Sequence, residues 1–403
     1  MDSVKHRKHI MIVAGEASGD LHGANLMRAY RAKDVETVFS GIGGHAMREE
    51  GLRVAVEAET LSVVGITEVI AKLPVIFRGM AAAKNIILED KPDLLILIDF
   101  PDFNLRLAAF AKKHNVPVLY YISPQIWAWR QGRVKKMKRL VDHMAVILPF
   151  EAHFYETHGI PVTYVGHPLL DHVPASENEA AIAKGDEKPS YLPASTGNCH
   201  RIGFLPGSRD REVSTLLPVM LETSKLLAER LDISGFYISH ARSVAKEKLE
   251  NVISAHISEE NIHKYDLVSG GIHRVLDKVD FVIAASGTVT LEAAMALKPM
   301  IIIYKVSPLS YWLGRALIRV DHIGLVNLIA EERVVPELIQ AEANPEAIAE
   351  TVTDILKSPE RVKTMHDGLL RVKNILGGPG ASAKAADIAF AMLERIKNQN
   401  TPI

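Results

Sequence analysis

The run LLILIDF at residues 94–100 constrains this chain most, because five apolar residues stand together before an aspartate. A strand that is apolar on both faces belongs inside a parallel sheet covered by helices on both sides. The run FVIAA at 281–285 makes the same demand in the second half of the chain. Further short strand patterns fall at 9–14, 35–40, 53–57, 117–122, 143–148 and 162–165. Helical patterns, such as 20–32 and 103–114, lie between them. This β-α-β alternation predicts an α/β fold with a doubly wound parallel sheet.

The pattern is interrupted once. Residues 172–201 hold three prolines among small and charged residues and read as a linker. Strand patterns then resume at 202–206, 235–239, 281–285 and 300–304. The chain of 403 residues is long enough for two cores. The expected organisation is a first Rossmann-like domain over 1–171, the linker 172–201, a second over 202–375, and a helical tail over 376–403. Two such domains imply a cleft, and doubly wound sheets bind ligands beyond the carboxyl ends of their strands.

Composition excludes some roles. The net charge is −1, so no global field draws the chain to nucleic acid, and no nucleic-acid partner is expected. Cys199 is the single cysteine, so no internal disulfide forms, which fits a reducing, cytoplasmic setting. No stretch reaches 18 uncharged apolar residues, the length a spanning helix needs. The nearest, 61–77, is broken by Glu68 and Lys72.

The strand ends carry the candidate chemistry. AGEASGD at 14–20 follows the first strand, but it has two glycines where a dinucleotide fingerprint needs three. Glu16 would repel a pyrophosphate and suits sugar hydroxyls better. A plain strand-to-helix turn, with Asp20 near the helix N-terminus, accounts for the same residues. GIGG at 41–44 offers open backbone N–H groups or a simple turn. Asp99, at a strand end and partly desolvated, is the best general-base candidate, with helix capping as the alternative.

In the second half, LPGSRDRE at 205–212 opens a helix after a strand. Gly207 and Ser208 expose backbone N–H groups there, and Arg209 can grip a phosphate. Ser286, Gly287 and Thr288 form a similar turn, and Glu292 stands about one turn into the next helix, able to hold ribose hydroxyls. No metal-binding motif is present, and His167 reads as a packed loop histidine. YYISPQIWAWRQGRVKKMKR at 120–139 has two of the three tryptophans and six basic residues. Val134, Met137 and Val141 recur at helical spacing, so a basic amphipathic helix is expected, either solvated or facing anionic headgroups.

Together, VAGEASGDLHGANLM, IDFPDFN, SPQIWAWR, LPFE, FLPGSR, ASGTVTLEAAM and YWLGRALIRVDHIGLVNLIA resemble the lipid-A-disaccharide synthases. The matching blocks run in order from about residue 10 to 340. The resemblance implies a GT-B fold: two Rossmann-like domains facing a cleft, with no nicotinamide cofactor and no metal. It implies an inverting transfer from UDP-2,3-diacylglucosamine to 2,3-diacylglucosamine 1-phosphate, giving a β(1→6) disaccharide 1-phosphate and UDP. It assigns Asp99 to the acceptor and matches Glu16 to the first-loop carboxylate, either of which can be the base. It assigns Gly207, Ser208, Arg209, Ser286, Gly287, Thr288, Glu292 and Asn327 to the UDP-sugar.

Both substrates carry acyl chains, so peripheral contact with the inner face of the cytoplasmic membrane is expected. Val63, Val64, Ile66, Val69, Arg133 and Lys136 are the residues proposed for it. A homodimer, with C-terminal parts exchanged, is implied as well. The chain departs from the family in a longer linker and in Phe100, where a smaller residue is common. The alternatives are another GT-B enzyme using UDP-GlcNAc, a transferase or 2-epimerase, and a nucleotide-sugar-binding protein without turnover.

Overall fold

The computed structural model describes residues 7–61, 66–129, 131–171, 199–241, 243–306 and 322–399. The chain forms two compact units. Unit 1 comprises Met1–Val173 with Gly377–Ile403, and unit 2 comprises Pro174–Leu376.

Unit 1 is built on β1 (His9–Ala14), β2 (Val38–Gly43), β3 (Arg53–Glu57), β4 (Leu94–Ile98), β5 (Val118–Tyr121), β6 (His143–Val146) and β7 (Val162–Tyr164). They form one parallel sheet in the order β3-β2-β1-β4-β5-β6-β7. Alternate residues of β1 and β4 enter different cores. Ile10, Ile12, Leu94, Ile96 and Ile98 pack with the helix Ala17–Arg31 on one face. Met11, Val13, Leu95 and Leu97 pack with the helices Ile66–Glu89 and Pro101–Lys113 on the other. Each such fully buried side chain contributes about 1.5–3 kcal/mol, so the two-sided apolar run is the main driving force for the sheet.

The C-terminal helix Ala381–Gln399 belongs to the first of these cores. Ala385, Ala386 and Ala389 let it lie close, and Phe390 meets Tyr30 with ring centroids 6.0 Å apart. Asp171 fixes its start by accepting hydrogen bonds from the N–H groups of Gly380 (2.6 Å), Ala381 (3.1 Å) and Ser382 (3.0 Å). These donors hold the Asp171 carboxyl below its ordinary pKa, against the opposing effect of burial.

Unit 2 repeats the plan with β8 (Cys199–Leu205), β9 (Asp232–His240), β10 (Tyr265–Ser269), β11 (Phe281–Ala285), β12 (Met300–Tyr304) and β13 (Glu337–Ile339). The order is β10-β9-β8-β11-β12-β13, all parallel. β10 and β13, absent from the sequence expectation, are the edges. They are short and partly exposed and so lack a continuous apolar run. The predicted linker 172–201 is shortened at its end, because β8 begins at Cys199; residues 172–198 lie outside the described residues.

The strand expected at 35–40 lies instead at Val38–Gly43. Gly41 and Gly43 of GIGG are therefore strand residues. Gly41 has φ +144°, and a Cβ there would stand 1.9 Å from the carbonyl oxygen of Ile12, so the glycine permits close approach of two strands.

Candidate active site

In each sheet the strand order reverses once, and that reversal is where doubly wound sheets open a crevice for ligands. In unit 1 it falls between β1 and β4, with Ala14 paired to Ile98. Gly15-Glu16 and Asp99-Phe100 therefore leave the sheet side by side. The ring of Phe100 lies over Gly15: a Cβ on Gly15 would be 2.4 Å from it. Phe100 also stacks on Phe103, with centroids 5.1 Å apart.

Asp99 and Phe100 are consecutive non-glycine residues in the left-handed region, with φ 44° and 47°. Such residues cost about 1–3 kcal/mol each and persist only where surrounding contacts fix them. Here the carbonyl oxygen of Asp99 accepts from the Tyr120 hydroxyl at 2.6 Å and from Asn104 Nδ2 at 2.7 Å. Asn104 Nδ2 also reaches the Ile98 carbonyl at 3.2 Å. Tyr120 and Asn104 are both fully buried, so the clamp is rigid.

The Asp99 carboxyl is pushed up to about 6. Burial is the main cause and the Glu16 carboxylate the second, against the Phe100 N–H, which stabilises the anion. Asp99 is thus ionised near neutral pH yet basic enough to take a proton. Glu16 is exposed at the start of the helix Ala17–Arg31 and makes no side-chain cap.

Asp20 stands in the first turn of the helix Ala17–Arg31, and its side chain also serves a second helix. Its buried carboxylate accepts from the N–H groups of Gly44 (2.6 Å), Ala46 (2.9 Å) and Met47 (3.2 Å), capping the helix His45–Glu49. The expectation of open N–H groups in GIGG is corrected accordingly, since the Gly44 donor is taken. His167 is buried, accepts at Nδ1 from the Leu169 N–H (3.3 Å), and is pushed down to about 4 by burial first and His22 second.

In unit 2 the reversal falls between β8 and β11, with Leu205 paired to Ala284. It brings Gly207-Ser208-Arg209 beside Ser286-Gly287-Thr288. Gly207 has φ +109°, and Arg209 stands at the start of the helix Asp210–Arg230. Glu212, one turn into that helix, accepts from the Ser208 N–H at 3.2 Å and from Arg209 Nη1 at 2.9 Å. Gly287 has no neighbour within 4 Å of a notional Cβ. The Ser286 hydroxyl reaches the Ile323 carbonyl at 3.5 Å, and Thr288 precedes the short helix Val289–Met295. Within that helix Glu292 is raised to about 7 by burial alone.

Asn327 holds the loop that precedes β13. It is fully buried, and its Nδ2 donates to the Val335 carbonyl (2.8 Å) and to Glu337 Oε1 (2.7 Å). Its Oδ1 accepts from the N–H groups of Val334 (2.8 Å) and Val335 (2.9 Å). All four hydrogen-bonding positions of the amide are used within unit 2. It holds Glu337, whose carboxylate accepts from the N–H groups of Ile323 and Gly324 at 2.9 and 3.0 Å.

Of the residues assigned to the membrane, Val63 and Val64 lie outside the described residues, and Ile66 and Val69 are described only as backbone of the helix Ile66–Glu89. That helix exposes Leu73 and Phe77, four residues apart. Val134, Met137 and Val141 are buried, leaving Lys135, Lys136, Lys138 and Arg139 exposed. Arg133 pairs with Asp102 at 2.6 Å, so its charge is already engaged. Trp127 donates to the buried Glu151 at 3.1 Å. Burial pushes Glu151 up to about 7, partly opposed by the N–H groups of Leu148 and Ile147 and by Trp127. Trp127 of the conspicuous SPQIWAWR segment thus contributes to packing. Among the described residues, no helix is long and apolar enough to cross a membrane and no group of three metal-ligating side chains converges.

Sequence reasoning missed Tyr120, Asn104 and Glu212 as parts of these sites. Each stands inside a quoted motif, but only the fold shows which atoms they meet.

The family described as LpxB: Lipid-A-disaccharide synthetase matches residues 10–389. The lipid-A-disaccharide synthase of Trichlorobacter lovleyi is 46% identical over 395 residues, covering 98% of this chain and 100% of its own. That of Myxococcus xanthus is 38% identical over 384 residues, covering 95% and 97%. Among solved structures, UDP-GlcNAc 2-epimerase from Neisseria meningitidis bound to UDP-GlcNAc has a TM-score of 0.62 at 13% identity, covering 95% of this chain and all of its own. The calicheamicin glycosyltransferase CalG4 has a TM-score of 0.58 at 14% identity, covering 97% and 99%. The two doubly wound sheets and these neighbours establish the GT-B fold. The family match and the near full-length relatives establish that the chain belongs to the lipid-A-disaccharide synthase family of glycosyltransferases.

Proposed function

We propose that this glycosyltransferase moves 2,3-diacylglucosamine from UDP-2,3-diacylglucosamine to 2,3-diacylglucosamine 1-phosphate. The products are the β(1→6)-linked disaccharide 1-phosphate and UDP, with inversion at the donor anomeric carbon. The observation that carries the reading is Asp99 at the reversal point of unit 1, with its main-chain carbonyl clamped by Tyr120 and Asn104 and its carboxyl raised to about 6.

In this reading Asp99 accepts the proton of the acceptor 6-hydroxyl as that oxygen attacks. Glu16 orients sugar hydroxyls and keeps Asp99 basic. The bond from the anomeric carbon to UDP breaks as the new glycosidic bond forms. Charge developing on UDP meets Arg209 and the Gly207–Ser208 turn, with Ser286, Gly287 and Thr288 beside it. Glu292 accepts hydrogen bonds from the ribose hydroxyls. The UDP-GlcNAc bound by the Neisseria epimerase supports a UDP-sugar on this fold. The epimerase alternative is not favoured, because that likeness is at 13% identity, against 46% for a full-length synthase.

Both substrates bear acyl chains, so the reading includes peripheral association with the inner face of the cytoplasmic membrane. Leu73 and Phe77 supply an apolar contact, and Lys135, Lys136, Lys138 and Arg139 attract anionic headgroups. The helices carrying them, Ile66–Glu89 and Val134–Leu140, cover the same face of the unit 1 sheet. The family resemblance extends the proposal to a homodimer, which sedimentation of the intact chain tests. For the reaction itself, the test is UDP release from the diacylated donor with and without the lipid acceptor. The reading predicts release only with acceptor. Release without it, or with unacylated sugars alone, contradicts it.

A further inference from the structure

Glu212 takes up the donors that the proposed function gives to the UDP diphosphate. One carboxylate oxygen accepts from the Ser208 N–H and the other from Arg209. Gly207 has φ +109°, a backbone conformation that favours glycine, and a Cβ there would lie 2.3 Å from Glu212 Oε2 as that carboxylate now stands. The Ser243 hydroxyl donates to the Ser208 carbonyl at 2.6 Å, pinning the peptide and so fixing the turn that bears the N–H. A carboxylate bound to one backbone N–H and one guanidinium presents the same charge and acceptor pattern as a phosphate oxygen pair.

We propose that Glu212 is a built-in competitor for the nucleotide diphosphate: donor binding displaces its carboxylate from Ser208 and Arg209, and its return helps to expel UDP. The inference rests on the reading that UDP occupies this turn. The side chains of Arg209 and Glu212 are 62% and 33% exposed, so the carboxylate can swing into solvent without disturbing the core. An exposed pair of this kind is weak, which makes displacement feasible and keeps its cost modest. Were Glu212 a mere buttress for Arg209, its removal would weaken diphosphate binding; as a competitor, its removal strengthens it.

The test is calorimetric titration of the intact chain with UDP and with uridine, for wild type, Glu212→Gln, Glu212→Ala and Arg209→Ala. Both Glu212 variants are expected to bind UDP about five- to tenfold more tightly, the equivalent of one displaced charge-assisted contact. Uridine affinity is expected to stay unchanged. In turnover, Glu212→Gln should lower KM for the donor and strengthen inhibition by UDP. If Arg209→Ala weakens UDP binding while the Glu212 variants bind UDP no more tightly than wild type, Glu212 is not a competitor and the inference is overturned. If Arg209→Ala leaves UDP binding intact, the reading of the turn fails and the inference falls with it.

Discussion

Gly15 lacks a side chain because the ring of Phe100 occupies the space one would take, 2.4 Å from a notional Cβ. This contact joins the ends of β1 and β4 and explains two sequence features at once. The glycine that looked like part of a phosphate loop serves packing, and the bulky Phe100 is accommodated by it. Phe100 directly follows Asp99, so the contact bears on the proposed base.

Gly15→Ala should therefore destabilise the chain by about 1–3 kcal/mol through overpacking. It should also lower turnover by shifting Phe100. Adding Phe100→Ala should restore part of both losses. Urea unfolding of the single and double variants measures the coupling; strictly additive effects would mean that the two residues do not interact.

The raised pKa of Asp99 predicts a definite pH dependence. The folded chain holds this proton up to about pH 6, whereas the ordinary value is 3.8. Stability from this group is therefore complete below about pH 4 and is lost as pH rises through 6. Asp99→Asn should stabilise the chain by about 1–2 kcal/mol at pH 7.5, after allowance for partial solvent screening, and by nothing at pH 3.5. In wild type, kcat/KM should rise with pH through about 6. Glu16→Gln should move that limb to lower pH, because the Glu16 charge is the second cause of the shift. A limb that stays in place would remove Glu16 from the electrostatics of Asp99.

The sequence made some of these residues legible and hid others for identifiable reasons. Asp99 could be read because five apolar residues fix its strand, and a strand end is where ligands meet such sheets. The two reversal points were not legible, because alternation of strands and helices leaves the strand order open. Asp20 and Glu212 were less legible, since what a carboxylate caps depends on which backbone folds against it. Asn327 stood in a recognisable segment, but its amide turns inward to Val334, Val335 and Glu337. β10 and β13 escaped notice because edge strands need no continuous apolar run.

Asn327→Ala should behave as a structural lesion. It strips a hydrogen bond from the buried Glu337 and leaves the N–H groups of Val334 and Val335 without their acceptor. The expected loss is about 2–4 kcal/mol. Thermal unfolding reads this directly. A variant as stable as wild type but with a raised donor KM would assign Asn327 to the nucleotide site.

Leu73→Ser with Phe77→Ser should reduce association with vesicles containing anionic lipid, without changing the melting temperature, because both side chains are exposed. Removing two large apolar contacts should lower partitioning by roughly tenfold or more. Flotation with vesicles of stated composition measures it; unchanged flotation would exclude this helix from the membrane contact.

The central claim is that Asp99 removes the acceptor proton. Single-turnover release of UDP from UDP-2,3-diacylglucosamine, with 2,3-diacylglucosamine 1-phosphate present, tests it in wild type and Asp99→Asn. The account predicts that the variant keeps its fold and its UDP affinity while the chemical step slows by about 10²–10⁴-fold. A folded Asp99→Asn variant that releases UDP at close to the wild-type rate would contradict it.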